Sequence, residues 1–215
     1  SPQQQDALKR LSVFRGGFSR EAAKAVTGAT LRQLRALSDK TFIRSVGQDR
    51  YEMLQLVRTF ATAMLGQDQS AQHEAETSHY RYMVDYINQR EHKIRGSEQS
   101  VVLSELRCEE ENIRYAWRAA LKYGDVRAVS DAQRGLARFC FERSAFQEGK
   151  DIFKIAIESL KPISRMDKSA TLALAQVLSQ YADFCSCLGE LDEANLHLTA
   201  LFTKNDGYNR HTRTS

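Results

Sequence analysis

Apolar residues recur at three- and four-residue intervals along most of this chain, and very little interrupts them: 215 residues contain two prolines (Pro2 and Pro162) and 11 glycines. An all-β fold needs frequent turns built on those residue types, so the pattern favours helices. No run approaches the ~18 apolar residues of a membrane span, and the polar start Ser1-Pro2-Gln3-Gln4-Gln5 does not read as a signal peptide. Cys108, Cys140, Cys185 and Cys187 form no Cys-x-x-Cys pair and lack histidines at zinc spacing, so they read as reduced thiols of a cytoplasmic protein.

The net charge of +4 is unevenly distributed. Residues 1–66 hold 11 Lys and Arg against 5 Asp and Glu (+6), and residues 67–215 hold 20 against 22 (−2). A basic head on a near-neutral body directs attention to nucleic acid or an acidic protein face.

Within that head, Leu8, Leu11 and Phe14 start an apolar helical face that Gly16-Gly17 ends. Ser19 is placed to cap a second helix over Arg20 to Val26, with Glu21 in its first turn. Thr30-Leu31-Arg32-Gln33 has capping-box spacing for a third, which carries Leu31, Leu34 and Leu37 on one face and leaves Arg32, Gln33, Arg35 and Ser38 outside. The period then shortens: Phe42 to Val46 and Tyr51 to Met53 flank a polar turn and predict a β-hairpin. Leu54, Val57, Ala61, Met64 and Leu65 form the stripe of a closing helix before Gly66. This order predicts a winged helix-turn-helix over residues 1–66.

A helical connector is expected over 67–128, with His79, Tyr82, Met83, Tyr86 and Ile87 on one stripe and Leu103, Leu106, Ile113, Ala116, Trp117, Ala120 and Leu121 marking one or two further helices. From 129 to 203 a pattern repeats. Ala137, Gly149, Phe153 and Ala156 have the same separations as Ala182, Ala194, Leu198 and Leu201. Small residues at such offsets let antiparallel helices approach closely, so the expectation is an α-solenoid of helix hairpins continuing beyond this stretch, with 204–215 a polar tail.

The run Leu11-Ser12-Val13-Phe14-Arg15-Gly16-Gly17-Phe18-Ser19-Arg20-Glu21-Ala22-Ala23 resembles a segment of the bacterial AfsR-like and LuxR-like regulators, signal-transduction NTPases of the STAND class. The likeness extends through 34–44 and 51–61, and again from Glu110-Glu111-Asn112-Ile113-Arg114-Tyr115-Ala116-Trp117 to Gly124-Asp125. The resemblance implies a winged helix and tetratricopeptide-like (TPR-like) repeats following an ATP- or ADP-binding switch domain that lies upstream. The winged helix would clamp that NTPase domain, and the repeats would take a protein or small-molecule signal. Related proteins carry a Met-His-Asp triplet after the wing whose His approaches the nucleotide phosphates. Met53, Leu54 and Gln55 stand at those positions here, and Leu54 has no hydrogen bond to offer a phosphate.

Little in the chain suggests catalysis. A phosphate-cradling loop needs glycines followed by Lys-Ser/Thr, and Gly16-Gly17 lacks that Lys. Glu76-Thr77-Ser78-His79 has one Glu-x-x-His spacing but no second pair, so His79 reads as a partly buried structural residue, with no metal or cofactor expected. Cys185 and Cys187 point apart on a helix and read as packing thiols. Trp117, Tyr115 and Tyr123 read as hairpin packing, and Glu109-Glu110-Glu111 as a solvated face or an internal partner of the basic head.

Two functions fit. As a regulatory module, the chain would use Gln55 and Arg58 as clamp contacts and Arg134, Arg138, Gln176, Gln180 and Asp183 as the repeat groove. As a DNA reader, it would use Arg32, Gln33 and Arg35 on the third helix with Arg44 and Arg50 on the wing. Arg32, Gln33, Arg35, Arg44 and Arg50 also serve as candidate contacts for a neighbouring domain.

Overall fold

A computed structural model describes residues 2–47 and 49–192. It is mostly helical with one small antiparallel sheet, and its described part divides into two compact units between Tyr123 and Gly124.

The first unit opens with α1 (Pro2–Leu11), which ends several residues before Gly16-Gly17, and continues with β1 (Phe18–Ser19). Ser19 then caps α2 (Arg20–Thr27) by accepting the Ala22 N–H at 3.0 Å. In α3 (Leu31–Asp39) the reciprocal cap forms: Thr30 Oγ1 accepts from Gln33 N and the Gln33 side chain accepts from Thr30 N. The hairpin β2 (Ile43–Ser45) and β3 (Arg50–Met53) follows, with Ile43 opposite Met53 and Ser45 opposite Tyr51. β1 adds to the other edge of β3, giving the order β1-β3-β2 with Phe18 opposite Tyr51. Two residues are too few to show an alternating pattern, which is why β1 is invisible in the sequence. Gly17 makes this edge possible: at φ +100°, a Cβ there would sit 2.9 Å from the Tyr51 carbonyl oxygen.

Helix α4 (Gln55–Leu65) leads into α5 (Gln69–Glu91), followed by a short 3-10 turn, α6 (Gln99–Cys108) and α7 (Glu110–Lys122). α5 packs on α7 and on α2, while α4 packs on α1, so the stretch expected as a connector shares one core with the head. Leu11, Phe14, Phe18, Leu34, Leu37, Ile43, Met83, Ile87 and Leu106 are fully buried in this unit.

The second unit contains α8 (Val126–Glu142), α9 (Phe146–Ile163) and α10 (Lys168–Leu188). α10 packs against both α9 and α8. Ser130 meets Gln176 near the start of α8 and α10, and Phe141 stacks on Phe184 near their ends, so these two helices run the same way. Phe184 lies in the space where a Gly149 side chain would be, and its ring is 4.3 Å from Phe141 and 5.6 Å from Phe153 between centroids. Gly149 thus serves the close approach of α9 to α10. Ala194, Leu198 and Leu201, the rest of the second sequence copy, and the tail 204–215 lie outside the described residues.

Candidate functional site

The residues singled out in the basic head have different fates. Arg32 and Arg35 lie exposed on α3, where they carry no ion pair among the described residues. Arg32 and Gln33 line an open polar recess of about 810 Å³ between α1 and α3, together with Gln3, Asp6 and Thr30. Gln33 spends its carbonyl on the cap, accepting from both Thr30 N and Thr30 Oγ1 at 2.8 Å. Arg44 reaches across the hairpin to Glu52 (2.8 and 3.1 Å). Arg50 turns inward, where it pairs with the buried Glu109 at the start of α7 and donates to the Cys108 carbonyl at 2.6 Å. Burial opposes the Arg50 charge, but Glu109 outweighs it and raises the pKa of the guanidinium. One member of the glutamate run therefore meets the basic head inside the molecule.

Glu109 belongs to a buried polar joint. Asn112 donates to Gly17 O (2.8 Å) and Glu109 Oε2 (2.6 Å), and its Oδ1 accepts the Arg15 backbone N–H at 2.6 Å. His79 Nε2 approaches the same Oδ1 at 3.4 Å, while its Nδ1 has no partner among the described residues. The His79 ring stands edge-on between Phe14 (5.0 Å) and Tyr115 (5.6 Å) and is fully buried, more so than its sequence suggests. Burial first, and the nearby Arg15 charge second, bring its pKa down to about 4, against the pull of Asn112 and Glu76.

Glu76 and His79 do not converge as ligands. Glu76 is buried and accepts four hydrogen bonds: Tyr123 (2.6 Å), Gln72 (2.9 Å), Lys122 (3.0 Å) and Tyr115 (3.1 Å). Burial disfavours the carboxylate, yet these donors hold its pKa below the usual range. Tyr115 and Tyr123 therefore hold a carboxylate as well as packing, and Trp117 is buried. Cys185 is buried, but Cys187 is exposed and does not pack as expected. Among the described residues no group of three His, Cys, Asp or Glu is arranged to hold a metal ion.

On α4, Gln55 is exposed and Arg58 half-buried. Arg58 donates weakly to Met53 O (3.4 Å) and Gln55 Oε1 (3.5 Å), and its Nε is buried without a partner among the described residues. Burial and the repulsion of Arg15 lower its pKa. The sequence stripe on this helix is half the story. Ala61 and Leu65 are buried, whereas Leu56 is 85% and Phe60 64% exposed, beside Leu54 at 42%.

In the second unit, the groove candidates are carried by α8 and α10, and Gln176 is the one with a described contact between the two helices. Gln176 accepts the Ser130 hydroxyl at 2.8 Å. Arg134 and Asp183 are exposed, and Arg138 and Gln180 are half-buried.

No family model and no curated protein matches the chain. Among solved structures it is similar to a Signal Transduction ATPase with Numerous Domains (STAND) protein with a tetratricopeptide repeat sensor from Pyrococcus horikoshii, at 18% identity and a TM-score of 0.39. The alignment covers 96% of this chain and 32% of that one, so the chain spans about a third of that protein's length. No described helix is long and apolar enough to cross a membrane.

Proposed function

We propose that this chain is a non-catalytic regulatory region of a STAND-type switch protein. Its head acts as a winged helix that clamps an upstream nucleotide-binding domain, and α8 to α10 begin a TPR-like array that receives a signal. The sequence resemblance supports this reading, as does the succession α1-β1-α2-α3-β2-β3 with its three-stranded sheet.

The observation that carries the clamp is the second apolar face of α4. A helix with apolar residues on one side buries that side in its own domain; one with apolar residues on opposite sides is built to be covered twice. Ala61 and Leu65 supply the inner face, and Leu56 and Phe60 the outer one. Between them the helix carries one charged residue, Arg58. The outer face therefore fits an apolar protein surface rather than a polyanion; of the two clamp candidates Gln55 is exposed, whereas Arg58 lies on the opposite side of the helix from Leu56 and Phe60 and is half-buried.

The nucleotide domain, added in trans, is expected to protect residues 31–58 from amide exchange. Leu56→Glu and Phe60→Glu are expected to remove that protection without unfolding the chain, since both side chains are already in solvent. Unchanged exchange at a saturating concentration of the domain overturns the clamp.

DNA binding through α3 and the hairpin is the weaker reading. Arg44 and Arg50 are neutralised by Glu52 and Glu109 and Gln33 is committed to a cap, which leaves Arg32 and Arg35.

A further inference from the structure

Helix α7 is held by buried polar groups at both ends, and the two ends face different parts of the first unit. At its start, Glu109 pairs with Arg50 of β3, and the same guanidinium donates to the Cys108 carbonyl at 2.6 Å. Three residues on, Asn112 donates to Gly17 O at 2.8 Å and accepts the Arg15 backbone N–H at 2.6 Å. Glu109 is 5% exposed and Asn112 0%, so water does not replace these bonds when they break. The three-stranded sheet is thus tied to the start of α7 twice, through β3 and through the residues that lead into β1.

At the other end, Lys122 and Tyr123 donate to the buried Glu76 of α5 at 3.0 and 2.6 Å. Tyr123 is the last residue of the first unit, and Gly124 begins the second. The chain therefore leaves the first unit at the very side chain that anchors this end of α7. The 13 residues of the helix span about 20 Å. Its backbone hydrogen bonds make it a rod, so a displacement at one end arrives at the other. Packed helices slide by ~1–2 Å in switching proteins, and a slide of that size is enough to break hydrogen bonds of this geometry.

Resting on the switch reading above, we propose that α7 is the rod through which the second unit controls the sheet. With Tyr123 seated on Glu76, the Arg50 and Asn112 joints hold the β2–β3 hairpin; withdrawal of Tyr123 releases it.

Amide exchange of the whole chain, with no other domain added, tests this. Tyr123→Phe keeps the ring and removes one hydroxyl from Glu76. Exchange at the β2 and β3 amides is expected to rise about three- to tenfold, with that of α1, which reports opening of the whole unit, changed by less than about twofold. In an Arg50→Met background the joint is already open, and Tyr123→Phe should add less than about twofold at the hairpin. Independent perturbations ~20 Å apart would multiply instead. Glu109→Gln, which keeps the side-chain shape, takes the place of Arg50→Met if that variant does not fold. An unchanged hairpin, an equal rise at α1, or the same factor in both backgrounds overturns the proposal. The clamp experiment reads protection by an added nucleotide domain, so either result can fail without the other.

Discussion

His79 shows how one buried side chain makes the first unit sensitive to acid. In the unfolded chain its imidazole titrates near 6.5, and in the folded protein near 4. Below pH 6.5 the unfolded chain takes up a proton that the native one refuses, so stability present at neutral pH is lost as pH falls toward 4. That difference corresponds to ~3 kcal/mol. Glu76 acts in the same direction: its depressed pKa means its stabilisation is present at neutral pH and fades as the carboxylate becomes protonated. Urea denaturation of His79→Phe should show a shallower loss of stability between pH 6.5 and 4 than the parent; parallel curves would mean that His79 is not the titrating group. Glu76→Leu takes the carboxylate partner from the half-buried Tyr115 and Tyr123 hydroxyls and should cost about 1–2 kcal/mol in the same assay, while the exposed Lys122 turns to solvent.

At the scale of elements, caps and close approaches decide the geometry. The Ser19, Thr30, Asp68 and Asp125 caps sit at the starts of α2, α3, α5 and α8, where short polar side chains accept otherwise unpaired amides. Gly149 controls the packing of α9 on α10, because Phe184 fills the space beside its backbone. Gly149→Ala raises helix propensity yet should destabilise the second unit by about 1–3 kcal/mol, since the Phe184 ring is trapped between Phe141 and Phe153. Thermal unfolding monitored at the second unit's amides would show it; a rise in Tm would mean that Phe184 has another rotamer open to it. On α4 the balance is reversed: Phe60→Ser should leave Tm within about 1–2 °C of the parent, because its ring is already solvated and a surface change is worth little.

For the molecule as a whole, the +6 charge of residues 1–66 overstates what a polyanion would meet, because Arg10 and Arg50 pair with Glu74 and Glu109 from beyond that segment. Arg10, Arg44, Arg50, Arg90 and Lys122 are each paired with a carboxylate in the first unit. Duplex DNA is therefore expected to bind no tighter than ~100 μM at physiological salt, the range of sequence-independent contact through a few phosphates. Binding of micromolar affinity that weakens steeply with salt and is abolished in the Arg32→Ala/Arg35→Ala variant would restore α3 as a DNA-reading helix.

Local signals in the sequence determined the starts of α2 and α3, the hairpin and the mostly helical class. A serine or threonine cap, a two-residue period or a glycine stop acts within a few residues and needs no distant partner. The repeat spacing that Ala137, Gly149 and Phe153 share with later positions pointed to helix hairpins in the second unit, although Ala194, Leu198 and Leu201 of the second copy lie outside the described residues. What only the tertiary structure decided is where the side chains spend their charge. Arg50 and Glu109 are 59 residues apart in sequence, and the donors to Glu76 come from α5, from α7 and from the residue that ends α7. Periodicity placed Ala61 and Leu65 on one stripe of α4, but it gave no sign that Leu56 and Phe60 form a second, uncovered one. Leu56 and Leu65 are alike as letters, and only the packing of α1 and α5 against one side of the helix leaves the other uncovered.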